Sequence, residues 1–148
     1  MSKKTIFFDM DGVLVNFESG IERLSDEVKE QYKGRLDEVP GIFALMDPIP
    51  GAREAVRLLA KHYDVYILST SPWNNPTAAS DKIEWVKKHM NEIFHKRVIL
   101  THHKELCQGD YLIDDRSKNG ASEFKGEWIH LGSKEFPDMD AVLSYLLM

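Results

Sequence analysis

The sequence predicts an α/β fold, a parallel sheet covered on both faces by helices. Three observations lead there. Short apolar runs alternate with segments of helical spacing along the chain, the signature of β-α units feeding a parallel sheet. Several of those runs stop abruptly at polar residues: Ile6-Phe7-Phe8 runs into Asp9, Val65–Leu68 into Ser69 and Thr70, and Tyr111–Ile113 into Asp114 and Asp115. The 148 residues, 43% of them apolar, suffice for one domain with an ordinary core, so residues 1–148 are read as a single domain.

The elements follow in order. Thr5–Phe8 is a buried strand. Phe17, Ile21, Leu24 and Val28 recur at helical spacing, so one helix is expected from 17 to near Gly34. Residues 35–50 are interrupted by Pro40, Gly41, Pro48 and Pro50 and read as irregular. A helix over 51–62 turns Ala55, Val56, Leu59 and Ala60 to the core, and Val65–Ser69 is the second strand. After a loop over 71–80 rich in Pro, Asn and Ser, Ser80 or Asp81 caps a helix whose inner face is Ile83, Val86, Met90 and Ile93. Strands follow at 98–101, 111–113 and 128–131. The chain closes with a helix over 138–147 that buries Met139, Val142, Leu143 and Leu146.

Composition narrows the function. A net charge of −5 argues against a nucleic-acid polymer as partner. One cysteine, Cys107, excludes an internal disulfide and fits a reducing cytoplasm. Nothing is long and apolar enough for a signal-peptide core or a membrane span. A homodimer is left open.

The chemistry sits where strands end. Asp9 and Asp11 are two apart on an extended segment, so they share a side while Met10 turns away. Like charges so placed repel, and a divalent cation with oxygen ligands relieves them. Asp114 and Asp115 end another apolar run. Two such strands side by side would form an acidic magnesium pocket with one carboxylate free to attack phosphorus. In a parallel sheet, sites lie beyond the carboxyl ends of the strands, so Asp9, Thr70, Lys104 and Asp114 can converge.

Four motifs in order carry a resemblance: Asp9-Met-Asp11-Gly-Val-Leu; Val65-Tyr-Ile-Leu-Ser69-Thr70-Ser71-Pro72; Lys104; and Ile113-Asp114-Asp115-Arg116. Together they resemble the haloacid dehalogenase superfamily of phosphohydrolases. Phe17-Glu18, the Thr70-Ser71-Pro72 ending and Pro48-Ile-Pro-Gly-Ala52 resemble its 5'(3')-deoxyribonucleotidase branch. The resemblance implies a Rossmannoid sheet of order 5-4-1-2-3 with a small helical cap inserted after strand 1, here residues 16–50. It implies that Asp9 is a nucleophile forming an aspartyl-phosphate and that Asp11 is the general acid, then the base. It gives Mg²⁺ the Asp9 carboxylate, the Asp11 carbonyl and Asp114, with Asp115 orienting that shell. Thr70 holds the phosphoryl group and Lys104 neutralises it. Among substrate contacts, Gly12 lets backbone approach and Ser71 is a further phosphate contact; Phe17 and Phe43 either pack the cap on the core, the commoner fate of a lone Phe, or stack on a base. Arg116 either pairs with Asp115 or contacts substrate.

Other residues read as structural. His102 and His103 are solvated loop residues, Cys107 a small apolar one, and Trp85 and Trp128 packing residues; Trp73 stands on a loop bordering the site. The expected function is Mg²⁺-dependent hydrolysis of nucleoside monophosphates, deoxyribonucleotides favoured. The alternatives are a phosphatase of sugar phosphates or other small metabolites, a phospho-accepting receiver, and a non-catalytic binding protein.

Overall fold

A computed structural model describes residues 2–148. Five parallel strands form the central sheet: β1 (Thr5–Phe8), β4 (Asp64–Ser69), β5 (Val98–Leu100), β6 (Tyr111–Asp114) and β7 (Glu127–His130). Their spatial order is β5-β4-β1-β6-β7. Counting only these five and starting from the other edge, this is 5-4-1-2-3. The chain numbering differs because two short strands unforeseen in the sequence, β2 (Val15–Asn16) and β3 (Asp47–Pro48), pair antiparallel in a separate ribbon.

Alternation along the strands sorts the core. Ile6, Phe8, Val65, Ile67, Ile113 and Ile129 point to one face, and Phe7, Leu68 and Leu112 to the other. The first face is covered by helices: α3 (Ala52–Leu59), α4 (Ala78–His89), α5 (Asn91–Phe94) and α6 (Met139–Leu147). The second face differs from expectation. Residues 101–110 and 115–126, which lead into β6 and β7, make only single 3₁₀ turns, Lys104–Leu106 and Ala121–Glu123. Ala121, Phe124 and the half-buried Cys107 cover that face in place of a helix.

Three helical expectations shift. The helix expected from Phe17 breaks into α1 (Phe17–Glu22) and α2 (Asp26–Gln31), because Ser25 caps the second segment by accepting a hydrogen bond from Val28 N–H at 3.2 Å. α4 starts at Ala78, ahead of the proposed caps Ser80 and Asp81. Its buried face is Ala78, Lys82, Trp85 and Val86, so Lys82 lies inside where Ile83 was expected.

The segment from Asn16 to Asp47 leaves and rejoins the core at one place, since these two residues are paired across the ribbon. Beyond the ribbon, side chains tie it down. Trp85 Nε1–H donates to Met46 O at 2.9 Å, and Asn75 Nδ2–H donates to Asp37 O at 2.9 Å and Val39 O at 3.0 Å. Gly41 N–H donates to Thr77 Oγ1 at 2.8 Å.

Candidate active site

Backbone register brings the acids together. β1 lies between β4 and β6, with Phe8 opposite Ile113, and Asp9 N–H donates to Ile113 O at 2.9 Å. Asp9 therefore leaves β1 beside Asp114, the last residue of β6. Lys104, in the turn after β5, reaches both: its ammonium donates to Asp9 Oδ1 at 3.2 Å and Asp114 Oδ2 at 2.6 Å. All three are buried. Arg116 N–H donates to the other Asp114 oxygen at 3.0 Å and fixes that carboxylate.

Burial governs the electrostatics. It pushes the Asp9 carboxyl well above the usual carboxylate range; Lys104 pulls it back, while Asp114 and Asp11 add repulsion. Burial alone would lower Lys104, but Asp9 and Asp114 outweigh it and hold the ammonium charged. Asp115 is likewise raised, by burial first and Asp114 second.

Oxygen atoms of Asp9, Asp114 and Asp115 lie within 4.8 Å of one another. One oxygen of Asp115 and one of Asp11 are buried with no hydrogen-bond partner. An all-oxygen donor set with unpartnered lone pairs and mutual repulsion fits a hard divalent cation. Asp115 was expected outside the ligand shell, yet its carboxylate stands in the cluster beside the other two.

Asp9, Asp11 and Asp114 open into a cleft of about 750 Å³, the size of a small-ligand site, while Asp115 borders a neighbouring cavity with Gly12. Asp9, Asp11, Thr70, Lys104, Asp114 and Arg116 line the cleft, with Phe17 and Phe43 from the segment above. Three expected contacts sit differently. Thr70 Oγ1 donates to Thr101 O at 2.7 Å, so its hydroxyl braces the ends of β4 and β5. Ser71 does not line the cleft, and its buried hydroxyl has no partner. Gly12 adopts φ +83, and a Cβ there would collide with the Asp115 carboxylate. Glycine is needed for that conformation and to leave Asp115 its place, rather than for backbone approach to the cleft. His102 lines the cleft, against the expectation of a solvated loop residue, whereas His103 is exposed and faces Glu105.

The residue that sequence reading missed is Lys82. It is 1% exposed; its ammonium donates to Ser69 Oγ at 2.8 Å, Thr70 O at 2.9 Å and Asp11 Oδ2 at 3.3 Å, and lies 4.6 Å from the centre of the Phe43 ring. A signal was present: Ala78, Lys82, Trp85 and Val86 share one helical stripe, and a lysine on an apolar stripe is buried only with partners.

Comparison with known proteins agrees with this arrangement. Residues 32–141 match the sequence model of the family described as 5' nucleotidase, deoxy (pyrimidine), cytosolic type C. A protein of Vibrio phage KVP40, provisionally named a 5'(3')-deoxyribonucleotidase, is 56% identical over 97% of this chain and 85% of its own. The human cytosolic-type 5'(3')-deoxyribonucleotidase is 33% identical over 85% of this chain and 77% of its own. Among solved structures, a Bacillus subtilis protein provisionally described as a haloacid dehalogenase-type hydrolase, bound to magnesium, superposes with a TM-score of 0.67 at 13% identity, covering all of both chains. A haloacid dehalogenase-like hydrolase of Streptococcus pneumoniae gives 0.61 at 14%, over 97% of this chain and 91% of that one. At such identities the likeness is one of fold. The motifs, the strand order and the sequence matches agree: the chain belongs to the 5'(3')-deoxyribonucleotidase family and has the fold of the haloacid dehalogenase-like hydrolases.

Proposed function

We propose that the protein is a Mg²⁺-dependent phosphomonoesterase that hydrolyses nucleoside monophosphates, deoxyribonucleotides in preference, with Asp9 as nucleophile. The observation that carries this reading is the buried Asp9–Lys104–Asp114 cluster at the floor of a nucleotide-sized cleft, in a chain whose relatives bear deoxyribonucleotidase names. An Asp9 oxygen attacks phosphorus and the ester P–O bond breaks. Asp11 gives its proton to the departing oxygen, so nucleoside leaves and phosphate stays on Asp9. A water then attacks phosphorus, Asp11 takes its proton, and inorganic phosphate departs with Asp9 restored. Lys104 offsets negative charge on Asp9 and on the transferring group.

Asp9, Asp114 and Asp115 would hold Mg²⁺ together with the Asp11 carbonyl. Bound there, the cation would offset phosphoryl charge. Lys82 pins Asp11 Oδ2 and so sets the direction of the proton donor. Residues 16–50 serve as the cap, and a reducing cytoplasm suits the single free thiol, Cys107.

The test is a panel of deoxyribo- and ribonucleoside monophosphates, sugar phosphates and p-nitrophenyl phosphate, with Mg²⁺ and with EDTA. Deoxyribonucleotides should turn over fastest, and EDTA should stop the reaction. Sugar phosphates outpacing every nucleotide would replace the nucleotidase reading with that of a general phosphatase. A stable phosphoprotein without repeated phosphate release would indicate a receiver.

A further inference from the structure

Stacking on a base needs an open aromatic face, and of the two cap rings that line the cleft Phe17 is half-buried and Phe43 is closed. Phe43 is 2% exposed; the Lys82 ammonium lies against its ring and Phe17 packs on it edge to face at 5.9 Å. Phe43 thus works as packing between cap and core. Trp73 is the opposite case. It is 87% exposed, by far the most open aromatic side chain among the described residues, and it lines the same cleft as Asp9, Asp11 and Lys104.

Nor is Trp73 loosely hung. It sits in a turn closed by Asn75 N–H donating to Pro72 O at 3.1 Å. Asn75 is itself buried and holds the carbonyls of Asp37 and Val39. On one side the indole meets the ring of His102, edge to face at 5.8 Å. The indole is therefore held at the cleft with its face open to solvent.

We propose that Trp73 is the platform on which the base of a bound nucleotide stacks, with His102 bracing the indole. The core loop after β4 would then share with the cap the preference for substrates that carry a base. The proposal rests on the nucleotidase reading and adds the contact that separates a nucleotide from a bare sugar phosphate.

Kinetics of Trp73→Ala and Trp73→Phe with thymidine 5'-monophosphate and with ribose 5-phosphate, which lacks a base, test this. Stacking on an aromatic side chain strengthens binding of a base, so Trp73→Ala should raise KM for the nucleotide about 5- to 10-fold, the low end because the ring stays partly in water. KM for ribose 5-phosphate should stay within about 2-fold on the same grounds, and Trp73→Phe should keep most of the nucleotide affinity. An independent readout is tryptophan emission on an Asp9→Asn background with Mg²⁺, where the nucleotide binds without turnover. Thymidine monophosphate should quench emission, inorganic phosphate should not, and Trp73→Phe should remove the quench, because Trp73 lines the cleft whereas Trp85 and Trp128 do not. Equal KM changes for both substrates, or a quench that survives Trp73→Phe, would overturn the platform and leave nucleotidase activity standing. Absence of nucleotide binding and turnover in the unmodified protein would remove both readings.

Discussion

On the floor of the cleft, Asp9 and Asp114 stand on neighbouring parallel strands whose backbone hydrogen bonds fix their separation. On the roof, Phe43 and Leu36 sit on 3₁₀ turns that share no sheet with the floor. The roof is held at its ends by the β2–β3 ribbon and along its length by side chains: Trp85, Asn75, Thr77 and the Lys82–Phe43 contact. Positions set by backbone register resist local substitution, whereas a roof held by a few side chains can be loosened one contact at a time. Changes in the floor should therefore show in kcat, and changes in the roof in KM and local stability.

The sharpest break of that contrast is Asp9→Asn. Turnover should vanish, because an amide is a poor nucleophile toward phosphorus. The circular dichroism spectrum should be unchanged, since the Asp9 N–H···Ile113 O bond does not involve the side chain. Residual hydrolysis in protein shown free of contaminants would remove Asp9 from the covalent role.

Lys82→Met probes the junction between floor and roof. The variant keeps an unbranched side chain but leaves Ser69 Oγ, Thr70 O and Asp11 Oδ2 without their donor. Removing one partner from such a buried charged network should cost about 2–4 kcal/mol of stability, measured by urea unfolding. At temperatures where the variant is folded, kcat should fall more for alkyl esters than for p-nitrophenyl phosphate, whose departure needs little protonation. An equal fall for both would show that Lys82 does not act through Asp11.

Asn75→Ala loosens the roof at its seam with the loop after β4, where Asn75 Oδ1 also accepts from Thr77 N–H and Thr77 Oγ1–H. Two cap carbonyls lose their donor, an effect of about 1–3 kcal/mol by thermal unfolding. KM should rise while kcat with saturating substrate stays near its original value. A drop confined to kcat would mean that cap and floor are not separable in this way.

Glu92→Gln, on the far side of α3, should do least. A backbone hydrogen bond first, and then Arg53 and Arg57, hold the Glu92 carboxyl down to about 2. Its folded pKa lies below the unfolded value, so its contribution is present above about pH 4.5 and is lost as pH falls through 2. Both partners are about half exposed, so solvent screens this contribution and the effect should be small at every pH. The variant should lose only part of the acid limb of the stability profile, and activity should not change.

The same contrast explains what could be read from the sequence. Asp9, Lys104 and Asp114 were legible because each follows an apolar strand, and parallel strands present their ends on one side. Lys82 was not, because a lysine in a helix reads as solvated unless its neighbours on the stripe are weighed. For Phe43 the sequence leaves packing and stacking open; the choice of packing depends on Lys82 and Phe17 closing over the ring, which is tertiary information. The missing helices of the second face reflect short connections, which composition alone does not mark.

The ribbon that joins Asn16 to Asp47 has a consequence for how such proteins diversify. An insertion whose two ends are paired neighbours imposes no span on the scaffold that carries it. The segment between them can lengthen, shorten or be exchanged while the five-stranded sheet and its carboxylates keep their places. Substrate range and reaction chemistry are then free to change separately, each through its own stretch of chain.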